Sequence, residues 1–223
     1  MTSTRIKVCC IASIEEARLA IEAGATAIGL VSEMPSGPGV IPEDRIAAIA
    51  HAVPPGIGTF LLTSATDPGA IIDQQRRTGA NTLQLVDQMP ANSHATLRRT
   101  LPGIKIVQVI HVQDASAIAE AEALSGQVDA ILLDSGNTKR DIRELGGTGR
   151  THDWSISRRI VRSSTTPVFL AGGLNAANAG EAIREVGPYG LDLCSGVRTE
   201  DRLDPAKLSA FFSAVADSGA LQG

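Results

Sequence analysis

The sequence predicts a single (β/α)8 barrel, one domain spanning residues 1–223. Three observations carry that expectation. Short apolar runs alternate with amphipathic stretches in eight units, and alternation at this spacing implies parallel strands joined by right-handed crossovers. Eight units favour closure into a barrel over an open doubly wound sheet, and 223 residues exceed the roughly 200 a closed barrel needs. Hydrophobic residues make up 43% of the chain but aromatics only 3%, so Ala, Val, Ile and Leu must build the core, which suits buried parallel strands and their covering helices. Third, two apolar runs near the C-terminus, Val168-Phe169-Leu170-Ala171-Gly172-Gly173-Leu174-Asn175 and Leu191-Asp192-Leu193-Cys194-Ser195-Gly196-Val197, each break into a glycine turn followed by a helix-like segment. Glycine lets backbone N–H groups approach an anion and a helix N-terminus adds partial positive charge. In a β/α barrel such a phosphate cup forms after strands seven and eight.

The elements follow in order. Residues 5–11 read as the first strand. Ser13 caps a helix running to about residue 23, with Glu16 three residues on, as in a capping box. Residues 25–31 form the second strand, and residues 42–52 the second helix, with Pro42 in its first turn. Residues 58–62 and 68–78 give the third pair, 82–86 and 93–100 the fourth, and 105–111 and 115–124 the fifth. The sixth strand spans 129–133. A long polar, glycine-rich segment from 134 to 152 precedes a helix at 153–162. Residues 167–170 and 176–186 make the seventh pair, and 190–193 and 205–216 the eighth. No Pro/Ser-rich linker divides the chain.

Composition also excludes some classes. Net charge is −4 with no basic cluster, which argues against a nucleic-acid partner. No apolar stretch approaches membrane-spanning length, and the N-terminal residues have no long apolar run of the kind a secretory signal carries, so neither membrane nor export is expected. The three cysteines, Cys9, Cys10 and Cys194, suggest no disulfide framework, because adjacent Cys9 and Cys10 would point to opposite faces of an extended strand. A reducing cytoplasm is the expected compartment, and a monomer or homodimer the expected assembly.

Barrel chemistry sits at the C-terminal ends of strands. The reactive residues expected there are Cys9 and Cys10, Glu33, Asp87, His111, Asp134, Asp192, and Cys194 with Ser195. Most strand-end polar residues only cap helices or bond to loops. A free cysteine is more often a small buried hydrophobe than a reactive group. Lys7 shares the parity of Cys9, and both are expected to face inward while Ile6, Val8 and Cys10 face the helices. A nearby ammonium would lower the thiol pKa and favour a thiolate base. Asp134 ends the run Ala130-Ile131-Leu132-Leu133; a turn or cap aspartate is the plainer assignment, and a carboxylic acid in a partly apolar mouth, with a raised pKa, is the functional one. Thiolate base and carboxylic acid together would give a bell-shaped pH profile. Gly146 through Trp154 is too long for a plain connection, so Gly147, Thr148, Gly149 and Arg150 are expected to form a lid or binding loop, with Trp154 docking it on the barrel.

With these residues assembled, the chain resembles the phosphoribosylanthranilate isomerase family of tryptophan biosynthesis. The resemblance covers essentially the whole chain. It is strongest at Lys7-Val8-Cys9, Leu132-Leu133-Asp134-Ser135, Gly146 to Trp154, Ala171 to Asn175, and Asp192 to Val197. It implies a (β/α)8 barrel that converts an aminoaldose phosphate to an aminoketose phosphate by Amadori rearrangement, with no cofactor and no metal. It further implies Cys9 as the general base at C2, and Asp134 as the general acid at the ring oxygen. Gly172, Gly173, Ser195 and Gly196 would hold the phosphate, and Lys7 and Asp192 would line the substrate site.

Four positions depart from the family pattern. Cys10 stands where the family has glycine, Gly39 nearest the place of an arginine that binds the anthranilate carboxylate, Val86 where it has histidine, and Arg198 where it has glutamate. A charge-assisted hydrogen bond contributes roughly 1.5–3 kcal/mol, so losing the arginine would weaken binding by about 10–100-fold. Arg140 on the long loop is a candidate substitute. Two other readings stand beside the leading one: an isomerase or epimerase of another sugar phosphate, and a non-catalytic phosphate-ligand-binding paralogue.

Overall fold

The structure, a computed structural model, describes residues 4–136 and 151–220. Its strands are β1 (Arg5–Val8), β2 (Ala27–Val31), β3 (Gly58–Thr63), β4 (Thr82–Leu85), β5 (Lys105–His111), β6 (Ala130–Asp134), β7 (Val168–Leu170) and β8 (Gly190–Leu193). They pair in parallel in chain order and close where β1 meets β8, with Lys7 level with Asp192. Among the described residues eight helices cover the outside: α1 (Ile14–Glu22), α2 (Glu43–Ala52), α3 (Pro68–Thr78), α4 (Ser93–Thr100), α5 (Ser116–Leu124), α6 (Trp154–Ser163), α7 (Ala179–Val186) and α8 (Pro205–Ala220). The expected (β/α)8 barrel is therefore the observed fold. A short 3-10 turn at Ser195–Val197 and a two-stranded ribbon, β9 (Arg198–Thr199) with β10 (Arg202–Leu203), were not legible in the sequence.

Alternation along each strand makes two cores. Ile6, Val8, Ile28, Leu30, Leu83, Leu85, Ile131 and Leu133 pack outward against the helices. Phe60, Leu62, Val107, Val109, Leu132 and Phe169 fill the barrel itself. The scarcity of aromatics shows here: Phe60 and Phe169 meet edge to face, with centroids 6.1 Å apart, inside an otherwise aliphatic barrel.

Side-chain caps fix several of the helix starts. The Ser13 hydroxyl accepts from the Glu16 N–H (3.2 Å), and Asp67 and Asp153 cap α3 and α6 in the same way. The capping box expected at Ser13 is only half formed. The Glu16 carboxylate accepts instead from Ala12 N–H (2.9 Å) and Leu203 N–H (2.9 Å), and so ties α1 to the ribbon after β8.

The largest correction concerns β1. It ends at Val8, not at residue 11. Cys10 takes φ +62, a left-handed conformation that breaks the two-residue alternation. Cys10 therefore leaves the outward face expected for it and joins the barrel cluster. There it forms a disulfide with Cys194, their Cα atoms 6.0 Å apart, contrary to the expectation of three free thiols. Adjacent cysteines cannot pair with each other in a strand, but closing the barrel brings β1 beside β8 and supplies Cys10 with a partner 184 residues away.

Candidate active site

The C-terminal ends of the strands open into a cleft enclosing about 670 Å³ when space continuous with solvent is counted. Cys9, Asp134, Asp192, Gly172, Gly173 and Ser195 all border it. Strand order in the closed barrel makes this possible, since β1 flanks β8, which flanks β7, which flanks β6.

Cys9 follows directly on β1, and Lys7 shares its inward face, as parity required. Gly29 on β2 leaves room for both: a Cβ there would sit 2.7 Å from Cys9 Sγ and 3.0 Å from Lys7 Nζ. Lys7 does not border the cleft. It is wholly buried beneath it, its ammonium 2.8 Å from Asp192 Oδ1 and 5.3 Å from the centroid of the Phe60 ring. Burial works against the Lys7 charge, yet the Asp192 carboxylate and the Cys9 thiolate outweigh it and hold Lys7 above its ordinary value. Burial likewise raises the Asp192 carboxyl, and Lys7 only partly offsets that.

The thiol behaves differently from the sequence expectation. Burial pushes Cys9 up to about 11; Lys7 pulls the other way but is largely spent on Asp192, whose charge adds to the rise. Cys9 is therefore a protonated thiol at neutral pH.

Asp134 is the last residue of β6 and is 8% exposed. Its Oδ1 accepts from the Ser135 N–H (2.7 Å), which fixes its rotamer. His152 lies near enough for the Asp134 carboxylate to act on its imidazole, although burial lowers the His152 pKa overall. His152 Nε2 is 2.7 Å from Ser157 Oγ, while its Nδ1 is buried with no partner. Sequence reasoning singled out neither His152 nor Gln84, whose buried Oε1 is unpartnered at the cleft wall. A glutamine at an inward strand position was the available signal for the latter.

The two glycine turns meet. Gly172 and Gly173 adopt φ +87 and +63, which a side chain would strain. Gly196 presses on the other turn, and a Cβ on it would overlap the Leu174 carbonyl oxygen and lie 3.2 Å from Asn175 Cα. Ser195 is exposed at the rim, while Gly196 sits just behind the wall.

The opposite rim is Val31, Met34, Gly37, Pro38 and Leu62. Gly39 packs on Cys10, and a Cβ at Gly39 would fall 2.5 Å from Cys10 Cβ and 2.9 Å from its Cα. Cys10 and Gly39, two of the positions expected to depart from the family pattern, are thus packed against each other. Arg198, the third departure, donates to Glu16 (3.0 and 3.2 Å), to the Asp201 carbonyl (2.7 Å) and to the Cys10 carbonyl, bracing the turn that carries Cys9. Among the described residues, no arginine or lysine borders the cleft. Arg140 and the lid residues Gly147, Thr148, Gly149 and Arg150 lie outside the described residues. Trp154 packs against the outer core.

Of the other strand-end candidates, His111 Nε2 pairs with the Val86 carbonyl (2.9 Å), and Asp87 receives the Gln88 N–H (2.9 Å). Neither borders the cleft.

Polar groups gathered at the C-terminal mouth of a closed eight-stranded barrel define a β/α-barrel enzyme. A family model described as N-(5'-phosphoribosyl)anthranilate (PRA) isomerase matches residues 6–214. The chain belongs to that family and is an isomerase. Among its relatives, the N-(5'-phosphoribosyl)anthranilate isomerase of Methanocella arvoryzae is 34% identical over 205 residues, covering 92% of this chain and 94% of that one. N-(5'-phosphoribosyl)anthranilate isomerase 2 of Methanosarcina mazei is 40% identical over 195 residues, covering 87% and 85%. The phosphoribosyl anthranilate isomerase of Thermotoga maritima superposes with a TM-score of 0.82 at 25% identity, over 96% of this chain and 99% of that one. No helix among the described residues is long and apolar enough to cross a membrane.

Proposed function

We propose that this isomerase acts on N-(5'-phosphoribosyl)anthranilate in tryptophan biosynthesis, with Cys9 as general base and Asp134 as general acid. One observation carries the assignment: a thiol just after β1 and the carboxyl group of Asp134 at the end of β6 border the same cleft as the glycine turns after β7 and β8. The Gly172–Gly173 turn and the Ser195–Gly196 turn hold the 5'-phosphate through backbone N–H groups. Asp134 gives a proton to the ring oxygen, the C1–O bond breaks, and the nitrogen lone pair forms an iminium at C1. The thiolate of Cys9 takes the C2 proton, the electron pair left at C2 neutralises the iminium, and the enolamine tautomerises to the aminoketose. The positive charge of the iminium, forming beside Sγ, favours the thiolate that burial disfavours. Lys7 and Asp192 act from below, Lys7 by its charge on Cys9. Val31, Met34, Pro38 and Leu62 offer the aromatic ring an apolar wall.

The test is consumption of fluorescent phosphoribosylanthranilate by purified protein, together with rescue of a tryptophan auxotroph. Cys9→Ala and Asp134→Asn should each lose about 10²–10⁴-fold in kcat. Absence of turnover by the unaltered protein rejects this substrate. The absence of a cation from the described cleft wall favours one other reading, a phosphorylated sugar without the aromatic acid. Stabilisation by such a sugar phosphate, in the absence of phosphoribosylanthranilate turnover, would select it.

A further inference from the structure

We propose that the Cys10–Cys194 disulfide is a redox-controlled tie that sets the grip of the phosphate end of the cleft, opened by a dithiol reductant. The inference rests on the phosphate reading given above for the Ser195–Gly196 turn.

The bond joins the turn after β1 to the turn after β8, and both cysteines border the cleft. Cys9 is the residue before one half-cystine, and Ser195 the residue after the other. The shortest covalent path from base to phosphate turn therefore runs through the two sulfurs. Its two ends are braced unequally. Cys10 is pinned, because its carbonyl accepts from Arg198 and its Cβ and Cα press on Gly39. Cys194 precedes a three-residue 3-10 turn and leads straight to exposed Ser195. On reduction the two sulfurs become non-bonded atoms and must move apart. With Cys10 held by Gly39 and Arg198, the displacement falls on Cys194 and Ser195, at the phosphate turn.

The exchange balances. Cys194 is half-buried and Cys10 only 4% exposed, so a thiolate of the dithiol attacks Cys194 Sγ. The Sγ–Sγ bond breaks, Cys10 leaves as thiolate and takes up a proton. The second thiol of the reductant then displaces Cys194, which is protonated in turn. Two electrons and two protons pass from the dithiol, which ends as a cyclic disulfide. Cys9 stays out of the exchange, since it is buried and protonated and the thiolate is the exchanging species.

The experiment uses the full chain purified without reductant. Thiol titration under denaturing conditions should find one thiol of the three cysteines, and three after dithiothreitol. Inorganic phosphate then serves as probe of the cup in a thermal-shift titration. Reduced wild type, Cys10→Ser and Cys194→Ser should each need about tenfold more phosphate for half the shift than oxidised wild type, the equivalent of losing one hydrogen bond. With phosphoribosylanthranilate as substrate, KM should rise by a similar factor while kcat changes less than about twofold. Three thiols before reduction, equal phosphate affinity in the two redox states, or no phosphate effect in either would overturn the proposal. A redox-dependent phosphate effect without any turnover would support the tie while rejecting the substrate.

Discussion

Lys7 and Asp192 face each other across the seam where the barrel closes, Nζ 2.8 Å from Oδ1, with Lys7 wholly buried and Asp192 7% exposed. Their register is that of β1 on β8, so the pair forms only when the last strand docks on the first. It lies directly beneath Cys9, and the charge of the base depends on it.

Removing one partner leaves the other charge buried and alone. Lys7→Met or Asp192→Asn should each destabilise by about 3–5 kcal/mol. The double variant Lys7→Met/Asp192→Asn should cost clearly less than the sum of the two single changes. Urea unfolding of the four proteins measures the coupling, and additive losses would show that the pair does not act as a unit.

With Cys9 raised to about 11, an enzyme that needs the thiolate works on the rising limb of its titration. In Asp134→Asn, where no acid has to stay protonated, raising the pH from about 7 to 9 should therefore increase the residual kcat/KM roughly tenfold per unit. Stability runs the other way: a raised folded pKa means the Cys9 contribution is present below the unfolded value and is lost as pH climbs towards 11. A kcat/KM that stays flat over that range removes Cys9 as the base.

Gly39→Ala places a Cβ against the Cys10 backbone at a position with φ +78. Overpacking of this kind costs about 1–3 kcal/mol, and the left-handed backbone about 1 kcal/mol more. Cys10→Gly in the same chain, compared with Gly39→Ala under reducing conditions so that the Cys10–Cys194 bond is absent from both, should recover much of the packing part. Denaturant midpoints of the two proteins decide the matter, and an unchanged midpoint for Gly39→Ala would mean the two turns can separate freely.

Gly196→Ala should separate the two glycine turns, because its Cβ meets the Leu174 carbonyl, which has no flexible end to swing away. Affinity for inorganic phosphate should fall at least about tenfold, the equivalent of one lost hydrogen bond. Isothermal titration reads this directly.

Burial raises Glu16, but Arg198 and the N–H groups of Leu203 and Ala12 overcome that and leave its carboxyl below the ordinary value. A lowered folded pKa contributes stability above the unfolded value near 4.5, lost as pH falls through the folded one. Arg198→Met should thus flatten the loss of stability below about pH 4.5. An acid slope equal to that of the wild type would show that Arg198 does not control Glu16.

The sequence by itself determined the barrel, because period, composition and caps are local properties that every segment states on its own. The strand at Lys105–His111 and the helix at Pro68–Thr78 were legible to the residue. So was the shared face of Lys7 and Cys9, which follows from strand parity. Tertiary closure decided the rest. The partner of Cys10 and the role of Arg198 depend on β8 lying beside β1, the packing of Gly39 against Cys10 on β2 lying on its other side, and the rise of the Cys9 thiol on its burial in the closed barrel. Each is a contact between residues far apart in the chain, or an effect of burial. Neither leaves a local pattern to read, since the same residues in an isolated strand would be free, solvated and unstrained.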